Sequence, residues 1–219
     1  MSTELEVKFL LSHPAAFISR LEDLGAKIDA PRIHETNLRF DTPDRKLTNS
    51  YQVLRLRQDA RVRVTYKGSG KLRGGVRARK EIEFEAGDFE AAKAMFEALG
   101  YEVSFIYEKY RTTYTLRITE TGHFGEEAAE AATTNDEVEI VVDETPLGTF
   151  TEIEGENAGA IQLTAARLGL DWEARINDSY TYLFEKVKNS LSLPIRDLTF
   201  INFEGVSVTP EAMKVKIGD

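Results

Sequence analysis

The chain has no cysteine and only three histidines among its 219 residues. Disulfides, thiolate metal sites and cysteine nucleophiles are therefore excluded. His13, His34 and His123 are scattered and do not show the spacing of metal ligands, so surface positions or satisfied core positions fit them better. A metal site in this chain would depend on oxygen ligands from carboxylates.

Long apolar runs are also missing from the sequence. No segment approaches the roughly 20 apolar residues of a membrane-spanning helix, and the N-terminal residues are too polar for a signal peptide. The net charge of −9 argues against a general nucleic-acid coat, although it leaves room for a local basic pocket. We therefore expect a soluble, cytoplasmic protein, a monomer or a homodimer, with no nucleic-acid or membrane partner.

The feature that stands out is an alternation of charged and apolar residues. In Glu4-Leu5-Glu6-Val7-Lys8, the three charged side chains would share one face of a strand and the apolar side chains the other. The same alternation recurs in residues 51–58, 61–67, 76–86, 102–119, 136–143 and 149–154. We expect eight to nine strands, with residues 3–11 and the extended residues 33–41 among them, whose apolar faces pack against a core.

Helical patterns lie between and after these strands. They are predicted for residues 14–25, 88–99, 156–168 and 178–189. In the second of these, Asp88 would cap a helix that buries Phe89, Ala92, Phe96 and Leu99. Residues 68–75 are predicted as a flexible loop, residues 120–135 as a loop or short surface helix, and the segment after Pro194 as a tail with some strand character. Two similar halves meeting near residue 100 favour one pseudo-duplicated domain.

The charged faces admit two interpretations. An ordinary sheet with one wet face would turn these charges outward. However, arginines gather on neighbouring strands, and glutamates come in Glu-x-Glu pairs. Arginine offers planar donors that match phosphate oxygens, and paired carboxylates suit a divalent cation. If all the charged faces converge inside a closed sheet, they build an ionic cavity for a polyanion and a metal.

Several motifs, in this order, resemble those of a known family. They are Glu4-Leu5-Glu6-Val7-Lys8, Phe40-Asp41-Thr42-Pro43-Asp44, Leu54-Arg55-Leu56-Arg57, Thr65-Tyr66-Lys67-Gly68, Arg79-Lys80-Glu81-Ile82-Glu83, Glu108-Lys109-Tyr110-Arg111, Asp143-Glu144 with Leu147 to Gly155, and Ser179-Tyr180-Thr181-Tyr182-Leu183. Together they resemble the CYTH superfamily, the triphosphate tunnel metalloenzymes, over residues 3 to about 188. A lone Glu-x-Glu-x-Lys would be a weak signal, whereas this ordered series is a strong one.

The resemblance implies an α+β fold: an antiparallel eight-stranded β-barrel, the triphosphate tunnel, with helices packed outside. Residues 1–190 would form this tunnel domain and residues 191–219 a C-terminal extension. The implied ligands of Mg²⁺ or Mn²⁺ are Glu4, Glu6, Asp143, Glu152 and Glu154. The implied partners of a small-molecule triphosphate are Lys8, Arg55, Arg57, Arg63, Arg79, Lys109 and Arg111. Lys67 is the implied catalytic residue, as a phosphate ligand or in activating water.

Several activities of this family remain open. Inorganic tripolyphosphate hydrolysis needs only the charged tunnel and is the first prediction. Thiamine triphosphatases of animals place a tryptophan where this chain has Val53, and class IV adenylyl cyclases often carry a His-Phe pair ahead of Glu4. Both features are missing, since the only tryptophan is Trp172 and only Met1 to Thr3 precede Glu4. A polyphosphate-binding module without turnover also stays open, although the full carboxylate set argues against it.

Overall fold

The computed structural model describes the backbone of residues 2–73, 76–118 and 136–219. Within these ranges, the side chains of residues 2–4, 72–73 and 76–77 are not described. The loop or helix predicted for residues 120–135 therefore lies outside the described residues. All statements below concern the described part of the chain.

Nine antiparallel strands form the sheet in the described ranges. They are β1 (Ser2–Leu11), β2 (Lys27–Asp41), β3 (Val53–Gln58), β4 (Val62–Lys67), β5 (Lys71–Arg73), β6 (Val76–Ala86), β7 (Glu102–Arg117), β8 (Glu137–Thr145) and β9 (Gly148–Gly155). Their order is β1-β9-β8-β7-β2-β3-β4-β6-β5, and β1 also pairs with β6. Eight strands thus close into a ring, while β5 pairs only with β6 in the described sheet. The predicted α+β fold, with eight antiparallel strands around a tunnel and helices outside, is confirmed.

Helices cover the outside of the ring. They are α1 (Pro14–Asp23), α2 (Lys46–Asn49), α3 (Phe89–Ala98), α4 (Ala158–Arg167), α5 (Tyr180–Leu191) and α6 (Pro210–Met213), with 3₁₀ turns at residues 172–174 and 201–203. They bury apolar outward-facing strand residues: Phe17 of α1 and Ile161 of α4 lie in one core cluster, and Phe96 of α3 lies in another with Leu56. In the described ranges, no helix combines the length and apolar character needed to span a membrane.

The predicted cap of α3 is confirmed, but its apolar stripe is one residue too long. The Asp88 carboxylate accepts a hydrogen bond from the Ala91 backbone N–H at 2.7 Å, which satisfies an N–H group that has no partner inside the helix. Ala92 and Phe96 are buried, whereas Leu99 is 67% exposed. The helix ends at Ala98, and Leu99 is its C-cap, so its side chain no longer follows the buried face.

Other boundaries also differ from the predictions. β2 begins at Lys27 rather than near residue 33, and residues 102–117 form one long strand. Part of the predicted 68–75 loop forms the short strand β5. The strand character predicted for residues 198–208 of the tail amounts to a single bridge between Leu198 and Tyr107, and the tail makes one more bridge, from Ile217 to Leu10. The tail's apolar residues are used for packing rather than for a ladder.

The C-terminal residues 191–219 pack against the ring. Leu198, Phe203 and Met213 lie in the same buried cluster as Phe184 of α5. At the very end, Gly218 donates its backbone N–H to the Leu10 carbonyl at 2.8 Å. A Cβ at Gly218 would come within 2.8 Å of the Phe9 Cβ, so this approach to β1 needs glycine.

Candidate active site

The inside of the ring is a charged cavity of about 280 Å³, a volume that suits a small molecule. Each of the eight ring strands contributes to its lining, and so does the first turn of α5. Lining residues alternate along the strands with residues on the other face, as in Arg55, Leu56 and Arg57 of β3, where Leu56 is fully buried in an outer core. The alternative of a sheet that turns these charges outward is therefore wrong.

Most of the predicted site residues come together in this cavity. It is lined by Glu6, Lys8, Arg55, Arg57, Arg63, Lys67, Arg79, Lys109, Arg111, Glu152 and Glu154. Two predicted residues are not among them. The side chain of Glu4 lies outside the described residues, although its backbone pairs with Arg79 across the β1–β6 junction. Asp143 stands behind the wall, with no exposed surface.

The sequence predictions missed several groups in or behind the cavity wall. Arg39 lines the cavity, and Glu35 is buried on the same face of β2, because the two are four residues apart along a strand. The alternation with Leu38 and Phe40, which are buried in an outer core, could have indicated this face. Tyr180 was part of a recognised motif but had no predicted role, and it lines the cavity from α5.

Asp143 is the centre of a buried ion cluster. Its Oδ1 accepts from Arg111 Nε at 2.7 Å. Its Oδ2 accepts from Arg111 Nη2 at 2.7 Å, from Lys109 Nζ at 2.9 Å and from the Tyr180 hydroxyl at 2.9 Å. Burial and the Asp143 charge raise the pKa of Tyr180 well above its usual value, so this hydroxyl remains a donor. The predicted role of Asp143 as a metal ligand stays a prediction.

Glu152 joins this cluster to β1. Its Oε1 lies 2.6 Å from Lys8 Nζ and its Oε2 lies 2.6 Å from Arg111 Nη2. Burial by itself would raise the pKa of Glu152, but Lys8 and Arg111 hold it well below the usual range. Burial would likewise lower the pKa of Lys8, yet Glu152 and Glu6 leave it raised. Both groups of this buried pair are therefore charged near neutral pH.

Glu35 of β2 balances cations on the two neighbouring strands, β3 and β7. Its Oε1 lies 3.3 Å from Arg57 Nη1 and its Oε2 lies 3.5 Å from Lys109 Nζ. Burial opposes the charged form, but these two cations lower the pKa of Glu35 strongly. Arg57 also donates from Nε to the Asn37 side-chain oxygen at 3.2 Å. Burial and the nearby Arg55 lower the pKa of Arg57 from its usual value, which reflects the crowding of cations here.

The wall formed by β3, β4 and β6 pairs its cations with glutamates. Arg55 donates from Nη2 to Thr65 Oγ1 at 3.1 Å, and Thr65 in turn donates to Glu83 Oε2 at 2.7 Å. Lys67 Nζ lies 2.8 Å from Glu81 Oε2. This ion pair holds the Lys67 side chain at the cavity wall, where its Nζ can donate to a phosphate oxygen.

The carboxylates that could hold a metal lie at neighbouring register positions. Glu6 of β1 pairs with Glu154 of β9, and Glu154 pairs with Glu139 of β8. All three line the cavity, and carboxylate oxygens are the donors that Mg²⁺ and Mn²⁺ prefer. Among the described side chains, no group of three or more histidines and carboxylates is gathered closely enough to hold an ion. The donor type fits a hard divalent cation, and the register brings three such donors to adjacent positions.

The chain matches a known protein family and resembles several solved structures. The family model described as the CYTH domain matches residues 2–178. A Vibrio parahaemolyticus protein described as a candidate adenylate cyclase has a TM-score of 0.68 at 19% identity, over 84% of this chain and 98% of its own. A Pyrococcus horikoshii protein has a TM-score of 0.60 at 26% identity, over 81% and 96%.

A third solved structure comes from Hippeastrum and is described as a candidate adenylyl cyclase that reveals a dominant triphosphatase activity. It has a TM-score of 0.58 at 20% identity and covers 83% of this chain and 95% of its own. The Vibrio and Hippeastrum proteins are too distant to show more than a shared fold. No curated protein sequence matches the chain.

Proposed function

The chain belongs to the CYTH domain family, and from this premise we propose that it hydrolyses a triphosphate in a metal-dependent reaction inside the ring. The first substrate we propose is inorganic tripolyphosphate, which is cleaved to diphosphate and orthophosphate. The observation that carries the proposal is the cavity lining, in which lysines and arginines from several strands converge on one enclosed space that also holds glutamates. A linear anion of several charges is the ligand that such a lining suits.

The form of the cavity favours an inorganic substrate over an organic triphosphate. Most of the residues that line the cavity are charged. Val53 occupies the position in its wall where an aromatic side chain would help to hold the thiamine rings. The Hippeastrum protein, whose description names a dominant triphosphatase activity, makes hydrolysis a reasonable choice ahead of cyclisation. The cyclase remains an outcome for the experiment to decide.

Phosphoryl transfer depends on position and charge more than on covalent help from the protein. Arg55, Arg57 and Lys109 would bind the outer oxygens of the triphosphate, because they line the same wall and are held in place by Glu35, Thr65 and their other partners. A water oxygen adds to the terminal phosphorus, the bridging P–O bond breaks, and diphosphate leaves with the bond's electron pair. One proton of the water stays on orthophosphate, and the other passes to diphosphate or to solvent.

The other lysines and arginines of the lining would contact other parts of the anion. Lys8 and Arg111, fixed by Glu152, would neutralise charge at one end of the anion. Lys67, fixed by Glu81, would donate to a phosphate oxygen whose charge grows as the bond breaks. Arg63 and Arg79 complete the lining. We assign binding roles to these residues, with Lys67 nearest to a catalytic one.

Glu4, Glu6, Glu152 and Glu154 would hold Mg²⁺ or Mn²⁺, with Glu139 beside them. When bound, a divalent cation neutralises phosphate oxygens and polarises the phosphorus. The protein's part is to hold Glu6, Glu152 and Glu154 at the cavity wall, among lysines and arginines.

The test is a panel of triphosphates assayed for orthophosphate release with Mg²⁺ or Mn²⁺. We expect turnover of tripolyphosphate that EDTA stops. Glu154→Gln should lose roughly 100-fold or more, because the cation that this carboxylate would help to hold is the group that stabilises transition-state charge. Glu97→Gln on the outside of α3 is the matched control, with unchanged turnover expected because Glu97 is exposed.

Other results would redirect the proposal. Cyclic AMP from ATP without phosphate release from tripolyphosphate would identify a cyclase. Tight binding of tripolyphosphate without turnover by the wild-type protein would identify a polyphosphate-binding module. Full activity in Glu154→Gln would contradict the metal assignment.

A further inference from the structure

Asp143 is placed differently from the other acidic residues predicted for the metal. It has no exposed surface and is not part of the cavity lining, whereas Glu6, Glu152 and Glu154 line the cavity. The cations that it binds, Lys109 and Arg111, do line the cavity. Asp143 therefore lies one layer behind the surface that a substrate would touch.

Almost all hydrogen-bond acceptor positions of the Asp143 carboxylate are also occupied. Two carboxylate oxygens offer about four acceptor positions. Three donors reach Oδ2, at 2.7 Å, 2.9 Å and 2.9 Å, and a fourth reaches Oδ1 at 2.7 Å. The two bonds from Arg111 form a bidentate pair, which fixes the plane of the guanidinium as well as its position. A metal at Asp143 would have to displace donors that are already well placed.

Tyr180 supplies the only uncharged donor of this described cluster. It is the first residue of α5, so it reaches the cluster from outside the ring of strands. Its hydroxyl donates to Asp143, and its ring lies 4.4 Å from Lys8 Nζ and 5.7 Å from Lys109 Nζ. The Tyr180 side chain thus contacts Asp143, which binds Arg111, and its ring lies close to both Lys8 and Lys109. Lysine ammonium groups over an aromatic face gain a favourable interaction that strengthens when water is excluded.

The position of α5 is itself held from several sides. Ser179 caps its N-terminus by accepting from the Tyr182 N–H at 3.3 Å. Arg39, on the inside of β2, donates to the Thr181 hydroxyl at 2.7 Å. The ring of Tyr180 packs edge-on against Phe150, with centroids 5.3 Å apart. These contacts fix the hydroxyl of Tyr180 over Asp143.

We propose that Asp143 and Tyr180 form an anchor that positions Lys109, Arg111 and Lys8 for the anion, and that Asp143 does not ligate the metal. Tyr180 is thereby a positioning residue of the site, and the ligand class that it serves is a linear phosphate anion. This inference rests on the proposed function for the identity of the anion. It concerns binding, so it can be measured apart from turnover.

The test separates anion binding from metal binding with Tyr180→Phe, which removes one hydroxyl and keeps the ring. Calorimetry of the EDTA-treated protein with tripolyphosphate is expected to show a roughly 3- to 10-fold weaker affinity, about the net effect of one ordinary hydrogen bond. Binding of Mn²⁺ alone, followed by its EPR signal, is expected to stay within twofold. Tyr182→Phe, on the exposed side of the same helix, is the matched control and should match the wild type in both.

Asp143→Asn extends the test to the anchor itself. We expect a larger loss of tripolyphosphate affinity, again with Mn²⁺ affinity within twofold, while Glu154→Gln should lose Mn²⁺ affinity. Tyr180→Phe keeps every charge of the cluster, so it carries the test even if Asp143→Asn does not fold. A purely structural role would lower the melting temperature of Tyr180→Phe and leave tripolyphosphate affinity unchanged.

Two results would overturn the inference. One is wild-type tripolyphosphate affinity in Tyr180→Phe, and the other is a tenfold or greater loss of Mn²⁺ affinity in folded Asp143→Asn. Failure of the proposed function would look different: the wild-type protein would not hydrolyse tripolyphosphate, yet the binding differences between these variants would persist.

Discussion

At the scale of single residues, the interior of the ring is a balance of buried charges. Glu35 is only 1% exposed and lies near two cations, Arg57 and Lys109. Removing one partner from such a group leaves the others buried and uncompensated, which costs more than the pair itself contributes. The same carboxylate that holds the cations in place therefore also makes the fold depend on pH.

Glu35→Gln tests this dependence. Since the folded-state pKa of Glu35 is lowered, its stabilising effect is present above the unfolded-state pKa of about 4.3 and is lost as the pH falls through the folded-state value. We expect the variant to be less stable than the wild type by roughly 3 kcal/mol at pH 7.

Unfolding free energies measured at several pH values test this prediction, and a second variant serves as its control. The difference in unfolding free energy between wild type and Glu35→Gln, measured by denaturant titration, should shrink as the pH falls from 5 toward 2. Glu90→Gln, on the exposed face of α3, should show no comparable trend. A difference that stays constant down to pH 2 would mean that Glu35 is not held ionised by its neighbours.

Single site residues could be predicted where charged and apolar residues alternate over a short stretch of the sequence. The face shared by Arg55 and Arg57 could be read from the period of two, because Leu54 and Leu56 alternate with them. Glu35 was missed, although the same rule applies, because a lone glutamate between His34 and Thr36 has no charged neighbour at the next alternate position. Tyr180 could not be assigned a role, since its partner Asp143 is 37 residues away and sequence spacing along two elements does not fix their distance.

At the scale of elements, alternation predicted the ring strands well and the tail poorly. Residues 198–208 alternate like a strand, but one bridge from Leu198 to Tyr107 is all the sheet pairing that they make in the described structure. The tail is instead ordered by side chains. Phe203 packs near Phe184 of α5, with ring centroids 6.2 Å apart. Sequence pattern cannot tell a strand from a segment with a 3₁₀ turn that buries single apolar residues against a helix.

Phe203→Ala tests whether this tail is part of the core. Phe203 is 7% exposed, so its loss should leave a cavity beside α5 and cost roughly 3–5 kcal/mol. Ile201→Ala is the matched control in the same turn. Ile201 is 68% exposed, and its substitution should cost about 0.5 kcal/mol or less. Equal effects in denaturant unfolding would show that the tail does not stabilise the body.

At the scale of the whole molecule, an acidic protein encloses a cavity rich in lysine and arginine. The net charge of −9 belongs to the complete chain, whereas the cavity gathers cations from six of the eight ring strands. Closure of the ring by the β1–β6 pairing is what makes this possible, because it brings the first strand against the sixth. The order of motifs predicted this closure only through the family resemblance, since pairing between distant strands is not encoded in local pattern.

The most direct test is a crystal structure of the protein soaked with tripolyphosphate and Mn²⁺, with manganese located by its anomalous signal. We expect the anion inside the ring, in contact with Arg55, Arg57 and Lys109, and manganese beside Glu6 and Glu154. Tripolyphosphate bound only on the outer surface, or manganese bound away from these carboxylates, would contradict the proposed site.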